Sequence, residues 1–139
     1  MYIKIADLFL GMGKEFVIEA MDISTKLSHK EGDVLFYAGD QALHFYILLK
    51  GRVKLSLGQS GPVVYMAGNP GEIIGWSSLI GREIYSASAE CMEPSDLLKF
   101  DRENFLKILK KNSANEAILF KRLAEMLGRR LLELYPNIP

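Results

Sequence analysis

Cysteine is almost missing from this chain: Cys91 stands alone among 139 residues. A single thiol forms neither an intrachain disulfide nor a cysteine-based metal cluster. Histidine is nearly as scarce, with only His29 and His44, and no His-x-His pair exists to supply a metal site. Neither histidine lies near a nucleophile motif such as Gly-x-Ser-x-Gly, so hydrolytic triad chemistry has no anchor and no enzyme is expected. No apolar run approaches the roughly 20 residues a membrane span requires. The segment Met1–Ala6 lacks the basic start and cleavage pattern of a secretory signal. These absences together fit a reducing cytoplasm. Net charge is missing too, with 17 basic and 17 acidic side chains, so no global field recruits nucleic acid.

What is present is ordinary for a folded domain. Hydrophobic residues make up 49% and charged residues 24%, which argues against disorder. A chain this long is expected to form one domain, residues 1–139. The charge is unevenly placed: residues 1–98 hold 8 basic and 12 acidic side chains, residues 99–139 hold 9 and 5. Lys107, Lys110, Lys111, Lys121, Arg122, Arg129 and Arg130 carry that excess, which reads either as the solvated face of terminal helices or as a weak contact for an acidic partner.

Three textures follow one another. Over Ile5–Met21 the apolar positions Ile5, Leu8, Phe9, Phe16, Val17, Ala20 and Met21 predict two short amphipathic helices, broken near Gly11 and Gly13, within residues 1–22. Residues 23–100 alternate short apolar runs with glycine turns. Strands are predicted at Val34–Tyr37, Leu43–Leu49, Val53–Leu57, Val63–Met66, Tyr85–Cys91 and Leu97–Phe100. Gly58–Gly61 reads as a hairpin tip, and Leu43–Leu49, apolar on both faces, as a central strand. Cys91 falls in an apolar strand and reads as core. Residues 101–135 return to helical spacing. Asp101 is a plausible N-cap for a helix carrying Phe105, Ile108 and Leu109, and Asn112-Ser113 ends it and caps the next. The last helix bears Phe120, Leu123, Leu127, Leu131 and Leu134 as one stripe, flanked by Met126 and Arg130. The fold class is therefore mainly β with flanking helices: a β-roll or jelly roll with short N-terminal helices and two C-terminal helices.

One stretch stands apart: Gly71-Glu72-Ile73-Ile74-Gly75-Trp76-Ser77-Ser78-Leu79-Ile80, followed by Arg82 and Tyr85-Ser86-Ala87-Ser88-Ala89. A glycine turn, a short helix and a strand of small residues form the outline of a phosphate-binding cassette over residues 71–89. Free helical N–H groups and the hydroxyls of Ser77, Ser78, Ser86 and Ser88 are donors an anion can use.

Four segments in order carry a resemblance. Lys30–Asp40 has a glycine turn, a strand and a Gly-Asp close. Phe45–Leu55 has two strands about Gly51. Gly71–Gly75 opens the cassette, and Asp101–Phe105 enters a helix. This order resembles the cyclic-nucleotide-binding domain of the catabolite-activator/FNR (CRP/FNR) regulator family. The resemblance implies a double-stranded β-helix, a cyclic nucleotide or other small anion as effector, and a regulatory role. It also implies a glutamate after the second cassette glycine for the ribose and an arginine before the small-residue strand for the phosphate. Here Trp76 and Tyr85 hold those places. Losing an arginine–phosphate pair costs on the order of 2–5 kcal/mol.

Two readings of the site stay open. Trp76 and Tyr85 either form an aromatic platform for a planar ligand or plug a vacated pocket. Glu72 is either a turn residue or an acceptor at the pocket mouth, and Arg82 either swings inward or is neutralised by Glu83. In the resembling family the last helix forms a two-fold seam, which implies a homodimer through Phe120, Leu123, Met126, Leu127, Leu131 and Leu134. Family members that regulate transcription continue into a helix-turn-helix. A chain closing at Pro136–Pro139 has no room for one and is not expected to bind DNA directly; either it is a freestanding module or it is a piece of a longer protein that carries the DNA-binding half. The function expected is thus a sensor domain with an altered cassette and unknown effector, or a ligand-free module for dimerisation or docking.

Overall fold

A computed structural model describes residues 9–58 and 61–135. Helix α1 spans Lys14–Ile23. Eight strands follow: β1 Thr25–His29, β2 Val34–Phe36, β3 His44–Lys50, β4 Val53–Ser56, β5 Val63–Ala67, β6 Ile73–Ile74, β7 Ser88–Cys91 and β8 Ser95–Asp101. A 3-10 helix, Trp76–Ile80, joins β6 to the segment before β7. Helices α2 (Arg102–Leu109) and α3 (Ser113–Leu134) complete the fold. The strands form two antiparallel four-stranded sheets, ordered β1-β8-β3-β6 and β2-β7-β4-β5. This is the mainly β architecture with flanking helices that the sequence predicts.

Alternation along β3 explains the layers. Phe45 and Ile47 point to one face, Tyr46 and Leu48 to the other, because successive side chains of a strand leave opposite sides. On the first face they join Leu98 and Phe100 of β8 beneath α1, α2 and α3. Phe45 and Phe100 are register partners and stack at 4.8 Å, and Phe105 of α2 meets both rings edge-on. On the second face Tyr46 and Leu48 meet Phe36, Val53, Leu55, Ala89 and Cys91 between the two sheets. The central position expected for Leu43–Leu49 follows: β3 pairs with β8 on one side and β6 on the other.

Both predicted caps are formed. The Asp101 carboxylate accepts from the Asn104 amide at 3.0 Å, and Asn112 Oδ1 accepts from Ala114 at 2.9 Å and Asn115 at 3.4 Å. These bonds satisfy amides that have no partner within the helix.

The structure departs from the sequence reading in three places. β1 was not predicted; Thr25-Lys26-Leu27-Ser28-His29 is an edge strand, largely solvated, with no apolar alternation to reveal it. β6 has two residues, too few for any periodic signal. The strand expected from Tyr85 begins only at Ser88, because Tyr85 pairs elsewhere: its amide donates to Asp40 O and its carbonyl accepts from the Gly39 amide. The break expected near Gly11 and Gly13 is present: a turn closes from the Met12 amide to Phe9 O before α1 begins. Residues 5–8 of the expected first helix lie outside the described residues.

Candidate functional site

The cassette begins where the chain leaves β5 and turns back to β3. The Gly71 amide donates to Leu48 O at 2.7 Å and the Leu48 amide to Glu72 O at 2.9 Å, so this turn is pinned to the central strand. The Glu72 side chain organises the turn itself. Its Oε2 accepts from the Gly68 and Asn69 amides at 2.9 and 2.8 Å, and its Oε1 accepts from the Tyr65 hydroxyl. Burial, with the Glu72 hydrogen bond, pushes the Tyr65 phenol up to about 12, so it remains a donor at neutral pH. Glu72 is thereby occupied by its own turn.

Gly75 then lets the chain reverse against the core. Its φ is 88°, a conformation that side chains resist, and a Cβ there would lie 3.1 Å from His44 O and 3.3 Å from Tyr85 Cε1. The following 3-10 helix is closed internally: the Ser78 amide and hydroxyl both donate to Gly75 O at 3.1 Å, and the Arg82 amide donates to Ser77 O. Ser77 and Ser78 are buried. Trp76 is half-buried and packs against the cluster beneath the helices. Arg82 is exposed.

Tyr85 is the centre of the site. Its ring is buried and lies 3.7 Å from the Phe36 ring, with planes 13° apart. Its hydroxyl donates to His44 O at 2.6 Å and accepts from the His44 amide at 3.1 Å. Burial raises its pKa, so it stays neutral. Gly75, Trp76, Ser77, Tyr85 and Ser86 converge, with Phe36, Leu55 and Ala87, on a cavity of about 20 Å³. That space holds about one water molecule. Ser88 lies apart in β7, where its Oγ accepts from the Ala38 amide at 2.9 Å.

A second concavity lies outside the roll. An open groove of about 900 Å³ runs between the turn at Asn69–Glu72 and α3, lined also by Tyr65, Met126, Gly128 and Arg130. Arg130 crosses one wall: its Nη2 donates to Ile73 O at 2.8 Å and its guanidinium lies 4.3 Å from the centre of the Tyr65 ring. Of the last-helix stripe, Leu123 is buried, Phe120, Met126 and Leu127 are half-buried, and Leu131 and Leu134 are exposed. Leu119, absent from that stripe, is fully buried.

The sequence reading omitted Phe36, Leu55, Tyr65 and His44 from the site. Phe36 and Leu55 were legible as strand residues, but which face they share with the cassette depends on how the two sheets close. Nothing local marks His44 as the partner of Tyr85.

Residues 26–112 match the cyclic nucleotide-binding domain family. This chain belongs to that family. Among curated proteins, this cyclic nucleotide-binding domain is 32% identical over 133 residues to the "Cyclic AMP receptor protein" of Thermus thermophilus, covering 94% of this chain and 59% of that one. It is 24% identical over 131 residues to "cGMP-dependent 3',5'-cGMP phosphodiesterase A" of Dictyostelium discoideum, covering 94% and 14%. The chain therefore spans less than two thirds of the length of either relative. Among solved structures, a "Putative Cyclic nucleotide-binding protein" of Geobacter metallireducens superposes with a TM-score of 0.81 at 26% identity, over 92% of this chain and 94% of that one. The domain is homologous to CRP/FNR-family regulators and is of their regulatory, sensor type. Among the described residues, no helix is long and apolar enough to cross a membrane, and no group of three His, Cys, Asp or Glu is placed to hold a metal ion.

Proposed function

We propose that this domain is a regulatory module whose cassette is closed to cyclic nucleotides by its own side chains and whose output is the last helix. One observation carries the reading: the Tyr85 hydroxyl is spent on both backbone groups of His44, beneath a cavity of about 20 Å³. Sites for small molecules of nucleotide size run from about 300 to 1,000 Å³. The charge that neutralises a cyclic phosphate is also missing at Tyr85, and Arg82 points to solvent. A relative is named for cyclic AMP; this chain carries Trp76 and Tyr85 where the family resemblance expects a glutamate and an arginine.

The exposed Leu131, Leu132, Leu134 and Tyr135 support a homodimer through the end of α3. In this reading the domain catalyses nothing and works in the cytoplasm.

The test is a thermal-shift panel with cyclic AMP, cyclic GMP, cyclic dinucleotides and simple anions, with sedimentation for the dimer. No shift and a dimer are expected. Ligand at 100 times its Kd stabilises by about 2.7 kcal/mol, so a saturable shift with cyclic AMP sinks the closed-cassette reading.

A further inference from the structure

Three parts of the fold meet at the backbone of His44. Its carbonyl accepts from the Tyr85 hydroxyl at 2.6 Å, and its amide donates to the same oxygen at 3.1 Å. Gly75, just before the 3-10 helix, approaches so closely that a Cβ there would lie 3.1 Å from His44 O. His44 is also the first residue of β3, and its register partner Asp101 is the last of β8. The lid over the cavity is therefore fastened to the terminal rung of a ladder, where opening costs least.

The side chain of that residue is the one type that changes charge near neutral pH. Its imidazole is partly exposed, so protons reach it. Charged groups of both signs face it from β8. Asp101 Oδ1 lies 3.9 Å from its Nε2, and Lys99, two residues earlier, sits with its Nζ 5.9 Å from the centre of the Tyr46 ring. From the cassette, the Tyr85 phenol stays neutral. Asp40, in the turn before β3, and Arg102, at the start of α2, act on that phenol with opposite signs. Desolvation, then Lys99, favours the neutral imidazole, and Asp101 opposes them more weakly.

At 3.9 Å the neutral ring makes no hydrogen bond to Asp101. A proton changes the balance. An imidazolium and a carboxylate settle at about 2.7–2.9 Å, so the ring is drawn about 1 Å toward Asp101 while Lys99 repels it. The rung is terminal, and its backbone yields with the ring. Tyr85 cannot follow, because its own ring is stacked at 3.7 Å on Phe36. A further half ångström or so takes the 3.1 Å bond from the His44 amide beyond hydrogen-bond reach.

We infer that His44 is a proton-operated catch on the cassette: neutral, it holds Tyr85 over the cavity; protonated, it turns to Asp101 and lets Tyr85 go. The inference rests on the closed-cassette reading and adds what regulates the closure.

Trp76, the only tryptophan of the chain, lines the cavity and reports on it. Acrylamide quenching of its fluorescence in the full chain, followed from about pH 7.5 to about pH 4.5, tests the catch. The quenching constant is expected to rise about twofold in one step centred below pH 6.5, with far-ultraviolet circular dichroism unchanged. His44→Gln is expected to abolish the step and His29→Gln to keep it. Tyr85→Phe is expected to be quenched at the higher level at every pH. Lys99→Met is expected to move the midpoint up, and Asp101→Asn, which retains an N-cap, to move it down, each by about 0.3 pH unit or more. The catch is overturned if the parent shows no step, if His44→Gln keeps it, or if circular dichroism falls along with it. Should His44→Gln not fold, the opposed shifts of Lys99→Met and Asp101→Asn decide alone, and midpoints that stay in place overturn the catch. Thermal shifts with cyclic AMP on the same samples at about pH 7.5 keep the two readings apart. A saturable shift there defeats the closed cassette, whereas the catch stands or falls on quenching.

Discussion

The hydroxyl of Tyr85 chelates the backbone of His44, donating to its carbonyl at 2.6 Å and accepting from its amide at 3.1 Å, across 41 residues of chain. The pair joins the end of the cassette to the first residue of β3, and the Tyr85 ring closes the space beneath by stacking on Phe36. A side chain in a ligand site generally keeps its polar end free for the ligand; this one is committed to the fold.

Tyr85→Phe keeps the stack and removes both hydrogen bonds. It is expected to lower stability by about 1–3 kcal/mol with an unchanged urea m-value. Tyr85→Ala also empties the stack on Phe36 and is expected to cost about 3–5 kcal/mol. Urea unfolding followed by Trp76 fluorescence measures both. A neutral Tyr85→Phe variant would show that the hydroxyl bonds contribute nothing net.

The double change Trp76→Glu with Tyr85→Arg restores the side chains that the family resemblance expects and removes both rings from the cavity. Cyclic AMP affinity, measured calorimetrically, is expected to rise at least about 30-fold over the parent, as befits a regained charged contact. No gain would mean that the pocket is closed by more than these two residues.

Acid is expected to destabilise the domain in two steps. Desolvation, followed by Lys99, holds His44 below its usual 6.5, against a smaller opposing pull from Asp101. The backbone hydrogen bond from Lys30, then the side chain of His29, holds Asp33 below 3.8. Both groups bind protons more weakly when folded than unfolded. Each therefore contributes stability that is complete above its unfolded pKa and lost as pH falls through its folded value. The first loss begins below about pH 6.5 and the second below about pH 3.8. His44→Gln is expected to remove the first step and Asp33→Asn to flatten the second, in chemical denaturation repeated across pH.

The two helix caps give a calibrating pair. Asn112→Ala and Asp101→Ala are each expected to cost about 1 kcal/mol, within a range of about 0.5–2. Thermal unfolding should rank Asp101→Ala as at least equal, since its Oδ1 also lies 3.9 Å from His44 Nε2. A cost near zero for Asn112→Ala would mean that water replaces the cap at the start of α3.

Much of this domain is written locally. The continuous apolar run Phe45–Leu49 dictates a strand buried on both faces, because successive side chains leave opposite sides of a strand. Asp101 and Asn112 announce the starts of α2 and α3, since their short side chains reach amides two or three residues on. The order of glycine turns and strands was enough to mark the family, and the unusual Trp76 and Tyr85 were visible within it. Tertiary structure alone decided what those residues do. Tyr85 finds its partner on β3 only when the roll closes, and Arg130 meets Ile73 across 57 residues. Closure also selected Leu119 and Leu123 for the core and left Leu131 and Leu134 outside, although one periodic stripe includes most of them. Periodicity comes from backbone geometry and is local; partners come from long-range packing, which no short stretch of sequence encodes.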